Sequence, residues 1–240
     1  MDKRFNLVLP IAGKAQRFVD GGYKTPKPLI NFNGKTILEK SMESVDTTNC
    51  KCIFIVQQKH IEEFKIDQYV KTLAKDVEII AIDYITEGAL STVMLAEKFI
   101  DFDTPLMIFT PDCYFEPKIV PINISNKMDG MVCTFKSTSP AHSYVSLDKD
   151  DWVMDVKEKE VISDQAIGGF YYFFDGRQFV HEARKAIKNK ETIKNEYYIA
   201  PIFAKLAMKG WNIGIDKNTK HLILGTPEDL QNAKLETETT

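Results

Sequence analysis

Hydrophobic positions follow two regimes along the chain. In the first half, short aliphatic or β-branched runs alternate with stretches of helical spacing. Phe5 to Ile11, Cys52 to Gln57, Val77 to Ile82 and Leu106 to Thr110 read as strands; Thr36 to Ser44, Ile61 to Ala74 and Ala89 to Phe99 read as helices. In the last helix Val93, Leu95, Ala96 and Phe99 supply the apolar positions, and Glu97 and Lys98 the polar ones. Continuous apolar strands separated by helices predict a doubly wound α/β architecture, a mostly parallel sheet covered on both faces. Ligands in such folds bind at the carboxyl ends of the strands.

From Met131 the pattern changes. Met131 to Lys136, Tyr144 to Leu147, Trp152 to Val156 and Ile167 to Phe174 alternate or are rich in aromatics, which predicts antiparallel additions to the sheet. Helices are expected at Gln178 to Lys188 and Glu196 to Met208, a strand at Trp211 to Ile215 and a short helix at Glu228 to Lys234. No linker or internal repeat divides the chain, so one domain over residues 1–235 with a fraying polar tail at 236–240 is expected.

Composition narrows the function classes. The chain has 240 residues, 44% hydrophobic and 27% charged, with a net charge of −3, which fits a globular protein with a substantial core and gives no basic excess for nucleic acid. Its apolar runs are too short to span a bilayer, and residues 1 to 10 lack the basic start and long apolar core of a signal peptide. The expectation is a cytoplasmic protein with no membrane partner. Cys50, Cys52, Cys113 and Cys133 match neither a zinc pattern nor a disulfide framework and are expected to be reduced.

Candidate chemistry concentrates at the predicted strand ends. After the first strand comes a loop of small residues, Ala12, Gly13 and Ala15, carrying Lys14 and Arg17. Small residues let backbone approach a polyanion, and cations neutralise it. The segment is neither GxGxxG nor a P-loop, and taken alone it reads equally well as a strand–loop junction with solvated charges. Lys27, held between Pro26 and Pro28, shifts the balance, because a restricted backbone lowers the entropy lost when its side chain is committed to a ligand. Asp112, just past an apolar strand, is placed to hold Mg²⁺ against phosphate oxygens or to serve as a turn aspartate in Thr110-Pro111-Asp112. Gln57 at a strand end offers both a donor and an acceptor to a base, with Gln58, Gly88, Ser91 and Thr92 as further candidates. The histidines have no metal-ligand spacing; His142 reads as a loop residue near a candidate pocket.

Taken together, these segments resemble the sugar-phosphate nucleotidyltransferases (nucleoside-diphosphate-sugar pyrophosphorylases). Leu9 to Arg17 is similar to that family's LxGGxGxR signature, Pro26-Lys27-Pro28 to its PKP element, and Thr110-Pro111-Asp112 to the segment with its metal-binding aspartate. Glu87-Gly88-Ala89-Leu90 resembles the glycine-led turn that reads the base. Lys157-Glu158-Lys159, Gly168-Gly169-Phe170-Tyr171 and Asn195-Glu196-Tyr197-Tyr198 resemble its EKP, GxY and NEY elements, and Leu224 to Leu230 its GTPEDL segment. The order runs through nearly the whole chain. Departures are Ala12 and Ala15 for glycines, Glu160 for the proline of EKP, and Ile223 where relatives often carry a second metal-binding aspartate.

The resemblance implies a Rossmann-like nucleotidyltransferase fold and transfer of a nucleotidyl group from a nucleoside triphosphate to a phosphorylated sugar or polyol, releasing pyrophosphate, for surface polysaccharide. In that scheme Arg17 and Lys14 bind the β and γ phosphates, Lys27 lies at the α-phosphate and Asp112 holds Mg²⁺. Ala12, Gly13, Gln57, Gly88 and Ser91 contact the nucleotide, and Glu158, Lys159, Gly169 and Glu196 the acceptor. In place of Ile223 a second carboxylate would come from Asp216 or Glu196 or be absent, with Asp216 the choice for the metal. Relatives are often homo-oligomers. The alternatives are a cytidylyltransferase for a phosphorylated amino alcohol or amino acid and, favoured by Ile223, a nucleotide-binding paralogue without turnover. A glycosyltransferase fits poorly, since Asp148-Lys149-Asp150 sits in a polar turn and such enzymes lack the PKP element.

Overall fold

The computed structural model describes residues 4–238. The first half contains β1 (Phe5–Pro10), α1 (Gln16–Asp20), β2 (Asn31–Phe32), β3 (Lys35–Thr36), α2 (Ile37–Met42), β4 (Cys50–Gln57), α3 (Gln58–Phe64), α4 (Ile66–Leu73), β5 (Asp76–Ile82), α5 (Ala89–Met94), β6 (Leu106–Phe109) and β7 (Cys113–Glu116). The second contains β8 (Gly130–Lys136), β9 (Ser143–Leu147), β10 (Val153–Glu158), β11 (Gln165–Phe173), α6 (Gly176–Lys188), α7 (Ala200–Met208), β12 (Ile213–Lys217), β13 (Lys220–Ile223) and α8 (Pro227–Glu238).

Strands β6, β1, β4 and β5 lie side by side and parallel. Strand β11 joins β6 antiparallel and carries the second-half strands: β8 along one edge, with β12 parallel beyond it, and β9 then β10 on the other. This is the expected mostly parallel sheet with antiparallel additions. Alternation along β1 shows how its faces are covered. Val8 enters a core with Leu90, Val93, Phe179 and Phe203 of α5, α6 and α7, whereas Leu7 and Leu9 enter another with Leu38, Met42, Ile66 and Val70 of α2 and α4. Strands buried on both sides read as unbroken apolar runs, which is why the first half is legible.

Four boundaries differ from the sequence expectation. The helix expected over Ile61 to Ala74 breaks at Lys65, whose φ is 55°. The α3 segment buries His60 and α4 buries Ile66 and Val70; six residues apart, His60 and Ile66 would lie on different sides of one continuous helix, and the break lets both face inward. Helix α5 stops at Met94 and a 3₁₀ turn covers Glu97–Phe99. Helix α7 starts at Ala200, not Glu196, with Pro201 in its first turn where a missing N–H costs nothing, and residues 196–198 are diverted into a loop. Helix α8 continues to Glu238, so residues 236–238 are helical, and the rest of the expected tail lies outside the described residues.

The two-stranded sheet of β7 and β13 escapes sequence reading, as does α1. Both belong to a satellite core of Phe18, Ile30, Phe32, Ile37, Leu222, Leu224, Leu230 and Ala233 at the site end of the molecule. Each strand has four residues, and their register, Ile223 opposite Cys113 and His221 opposite Phe115, joins segments over a hundred positions apart. No local periodicity marks such a pairing.

Candidate functional site

Four loops at the carboxyl ends of the parallel strands meet at one edge of the sheet. After β1, residues 11–15 run into α1, with Ala15 in the left-handed region at φ 48°. Ala12 is buried, and a Cβ added at Gly13 would meet nothing within 4 Å. Lys14 and Arg17 are exposed and form no ion pair among the described residues. The proline-bracketed segment after α1 forms a 3₁₀ turn, Lys27–Leu29, that directs Lys27 across to the loop after β6. There its Nζ lies 3.1 Å from Oδ2 of Asp112. The lysine side chain is 18% exposed and the aspartate 45%, so the pair is open on the aspartate side.

Asp112 is fixed from both directions. Its N–H donates to Thr110 O at 2.8 Å, and its carbonyl accepts from Leu224 N at 2.8 Å, which ties the end of β6 to the chain leaving β13. A Cβ at Gly225 would lie 3.8 Å from Asp112 Oδ2, 3.4 Å from Asp229 Oδ2 and 3.8 Å from Ile223 Cγ2. Two carboxylates and the apolar Ile223 therefore surround one glycine. Sequence reasoning misses Asp229 as a site residue because Thr226-Pro227-Glu228-Asp229 reads as a helix start, and it does cap α8: Thr226 Oγ1 donates to its Oδ2 at 2.7 Å and accepts from its N–H at 3.1 Å.

The expected second carboxylate, Asp216, is not brought there. It lies on the edge strand β12, separated from β6 by β8 and β11, and lines a different cavity of about 360 Å³ with Met128, Asp150, Asp151 and Trp152. Burial alone pushes its carboxyl above the usual carboxylate range. Among the described residues no three His, Cys, Asp or Glu side chains are grouped to hold a metal.

Gly169 places β11 against the end of β6, where Thr110 N donates to Gly169 O at 2.9 Å. Its φ is 79°, and an added Cβ would lie 2.6 Å from Thr110 Oγ1; here the register of β11 on β8 shifts between Ile167 and Tyr171. Glu158 ends β10 with its carboxylate 2% exposed, accepting from Ser143 Oγ and lying 3.3 Å from Lys159 Nζ. Lys159 Nζ also donates to Ala141 O and stands 5.5 Å from the Tyr198 ring centroid. Burial, a hydrogen bond to Glu196 and the charge of Glu158 raise the Tyr198 phenol, while Arg17 opposes the shift, so Arg17 and the NEY-like loop share one field. Burial and Lys159 hold His142 below the usual histidine range against Asp229 and Asp112. His221, stacked on Phe135 at 3.9 Å between ring centroids, is pushed down to about 4 by burial.

Gly88 joins the loop after β5 to the loop before α7. At φ 129° its backbone lies against the Tyr197 peptide; Tyr197 N donates to Glu87 O at 2.8 Å and Leu90 N to Tyr197 O at 3.1 Å. Lys194 and Asn195, at φ 51° and 64°, form the tight turn that delivers Glu196 to Tyr198 to this junction. Ser91 lies on α5 just beyond it. Gln57 is buried and hydrogen-bonded to both the loop after β1 and the loop after β5. Asp148 accepts from the N–H groups of Asp150 and Trp152, a local turn rather than a ligand pair. All four cysteines are free and buried, with the Cys113 thiol pushed up by burial and by Asp112.

No family model and no curated protein sequence matches the chain. Solved structures do. A nucleoside-diphosphate-sugar pyrophosphorylase from Vibrio cholerae RC9 superposes with a TM-score of 0.81 at 24% identity, covering 95% of this chain and 99% of that one. The inositol-1-phosphate CTP transferase from T. maritima superposes with a TM-score of 0.76 at 13% identity, over 99% and 96% of the two chains. A UDP-glucose pyrophosphorylase complexed with UDP-glucose gives 0.76 at 13% identity, over 98% and 99%. The likeness runs the length of the chain, which therefore has the fold of these sugar-nucleotide pyrophosphorylases and nucleotidyltransferases.

Proposed function

We propose that the protein transfers a nucleotidyl group from a nucleoside triphosphate to a phosphorylated small molecule of the sugar or polyol class, releasing pyrophosphate. The observation that carries this reading is the Lys27–Asp112 pair, a cation and a carboxylate 3.1 Å apart beside an open loop of small residues at the strand ends. That combination suits the α-phosphate of a triphosphate, where an acceptor phosphate oxygen attacks in line and the bond to the pyrophosphate oxygen breaks. No protein nucleophile is required, and the four buried cysteines offer none. Catalysis then rests on positioning and charge neutralisation.

Lys27 would stabilise charge developing on the α-phosphate, with Lys14 and Arg17 orienting the leaving pyrophosphate. Glu158, Lys159 and Glu196, with Gly169 against Thr110 at the end of β6, would orient the acceptor. The oxygen donors of Asp112 and Asp229 around Gly225 fit a hard cation such as Mg²⁺, which takes one or two carboxylates and fills its remaining positions with phosphate oxygens and water. When bound, the ion would supply electrostatic neutralisation of the phosphates. Asp216 has no part in this scheme. The first test is thermal stability with Mg²⁺ and each of CTP, UTP, dTTP, GTP and ATP, with Asp112→Ala as control. A triphosphate at about a hundred times its Kd adds roughly 2.7 kcal/mol. One base stabilising the wild type is the expected result, and no shift with any of them refutes nucleotide binding by the free protein. Pyrophosphate release with sugar, inositol and amino-alcohol phosphates then identifies the acceptor.

A further inference from the structure

Gln57 ends β4 at the N-cap position of α3, yet its side chain does not cap that helix. An N-cap side-chain oxygen normally accepts from the first turn and contributes about 1 kcal/mol. Here the amide turns away, with the residue 4% exposed, and Nε2 donates to Ala12 O at 2.7 Å and Tyr84 O at 3.0 Å. Both amide hydrogens are thereby used, which fixes the rotamer's sense, since the two carbonyls can only accept. The remaining Oε1 takes no hydrogen bond from the described residues.

The bond to Ala12 O has a directional consequence. The Ala12–Gly13 peptide is trans, so the Ala12 carbonyl and the Gly13 N–H point in opposite directions. Drawing the carbonyl toward Gln57 and β4 turns the Gly13 N–H away from β4. Strand β6, and Asp112 beyond it, stand on that other side of β1. The second bond ties the same amide to the loop after β5, whose Tyr84 and Ile85 side chains are exposed and give it little apolar anchorage of their own.

We propose that Gln57 is a positioning residue: its carboxamide locks the loop after β1 against the loop after β5 and turns the Gly13 N–H toward the triphosphate, in place of the base contact that the sequence suggests. The inference rests on the nucleotidyltransferase reading. It makes the phosphate part of the ligand, and not the base, the part that senses Gln57.

The test measures binding of inorganic tripolyphosphate, which has no base, and of the five nucleoside triphosphates, by calorimetry at 10 °C with Mg²⁺. The proteins are the wild type and Gln57→Met, which keeps the side-chain length and removes both donors. The expected result is that tripolyphosphate and every triphosphate weaken by the same factor, tenfold or more, with the preference among bases unchanged and the folded circular dichroism retained. Unchanged tripolyphosphate binding with lost base preference would make Gln57 a base reader and overturn the inference. Unchanged binding of both would reduce Gln57 to core filling and overturn the inference equally. Wild-type protein that binds neither tripolyphosphate nor any nucleotide would sink the nucleotidyltransferase reading itself. Should the variant not fold, ¹⁵N spectra of the wild type decide: the Gly13 amide shifts on adding tripolyphosphate, and a Gly13 amide that does not respond refutes the proposal.

Discussion

Replacing Gly88 by alanine perturbs the junction between the loop after β5 and the loop before α7, because an added Cβ points at the Tyr197 peptide. At φ 129° and ψ 176° Gly88 occupies a region that only glycine enters readily, a strain of about 1–3 kcal/mol for alanine. An added Cβ would also lie 2.5 Å from Tyr197 O and 2.6 Å from Tyr197 N, both backbone atoms that cannot swing aside as a side chain would. Relief requires the loops to part, which breaks the Glu87–Tyr197 and Tyr197–Leu90 hydrogen bonds, each worth about 0.5–1.5 kcal/mol net. The expected loss is about 2–6 kcal/mol, a large share of the about 5–15 kcal/mol that holds a domain together. Gly210 provides the control: its φ is 85°, but an added Cβ meets nothing within 4 Å, so Gly210→Ala carries only the backbone term of about 1–2 kcal/mol. Urea unfolding of both variants, followed by circular dichroism and compared at equal m-values, measures the difference. If Gly88→Ala loses no more than Gly210→Ala, the two loops are not joined through this contact and the steric argument fails.

Asp112→Asn should reduce nucleotidyl transfer by at least a hundredfold, about 2.7 kcal/mol in the barrier, in a steady-state pyrophosphate assay, and near-normal turnover would remove it from the centre. Lys27→Ala should lower kcat more than it raises KM for the triphosphate, because the transition state carries more charge at the α-phosphate than the ground state. His221, with its folded pKa pushed down to about 4 against the usual 6.5, gives stability that is fully present above pH 6.5 and is lost as the pH falls toward 4, by at most about 1.4 kcal/mol per pH unit. The pH dependence of urea midpoints should therefore be shallower in His221→Gln over that window, and an unchanged slope counts against the buried neutral imidazole. Burial raises the Glu182 carboxyl, but the Lys209 ammonium and its neighbours outweigh this and hold it below its usual value, so its contribution is present at neutral pH and lost on acidification. Lys209→Met should destabilise most near pH 7 and converge on the wild type in acid, as followed by thermal melts.

The parallel half of the sheet is legible because β1, β4 and β6 are buried along almost their whole length, so their apolar runs carry the signal, while the half-buried edge strand β5 is marked by its β-branched run and the helices on either side of it. The prolines around Lys27 mark it in the sequence, and the structure sets it against Asp112, while Lys14 and Arg17 stand exposed in the loop after β1. Asp216 is misplaced by the sequence for the opposite reason. A carboxylate on a strand has no sequence mark for which cavity it faces, and β12 is an edge strand three positions from β6. Asp229 stays hidden because its spacing from Thr226 already has a sufficient explanation as a helix cap, and the structure shows that it keeps that bond while standing beside Asp112.

What the sequence determines by itself, then, is the alternation of buried strands and helices, the loop ends at which chemistry can sit, and the residue types that suit a phosphate. Tertiary structure decides which of those residues meet. The β7–β13 pairing brings Leu224 and Gly225 to Asp112, the Gly88–Tyr197 contact brings Glu196 and Tyr198 to the loop after β5, and two hydrogen bonds tie Gln57 to the loops after β1 and β5. Periodicity is a local property set by the backbone repeat, whereas these contacts join segments far apart in sequence through single hydrogen bonds and close backbone approaches, which leave no period to read.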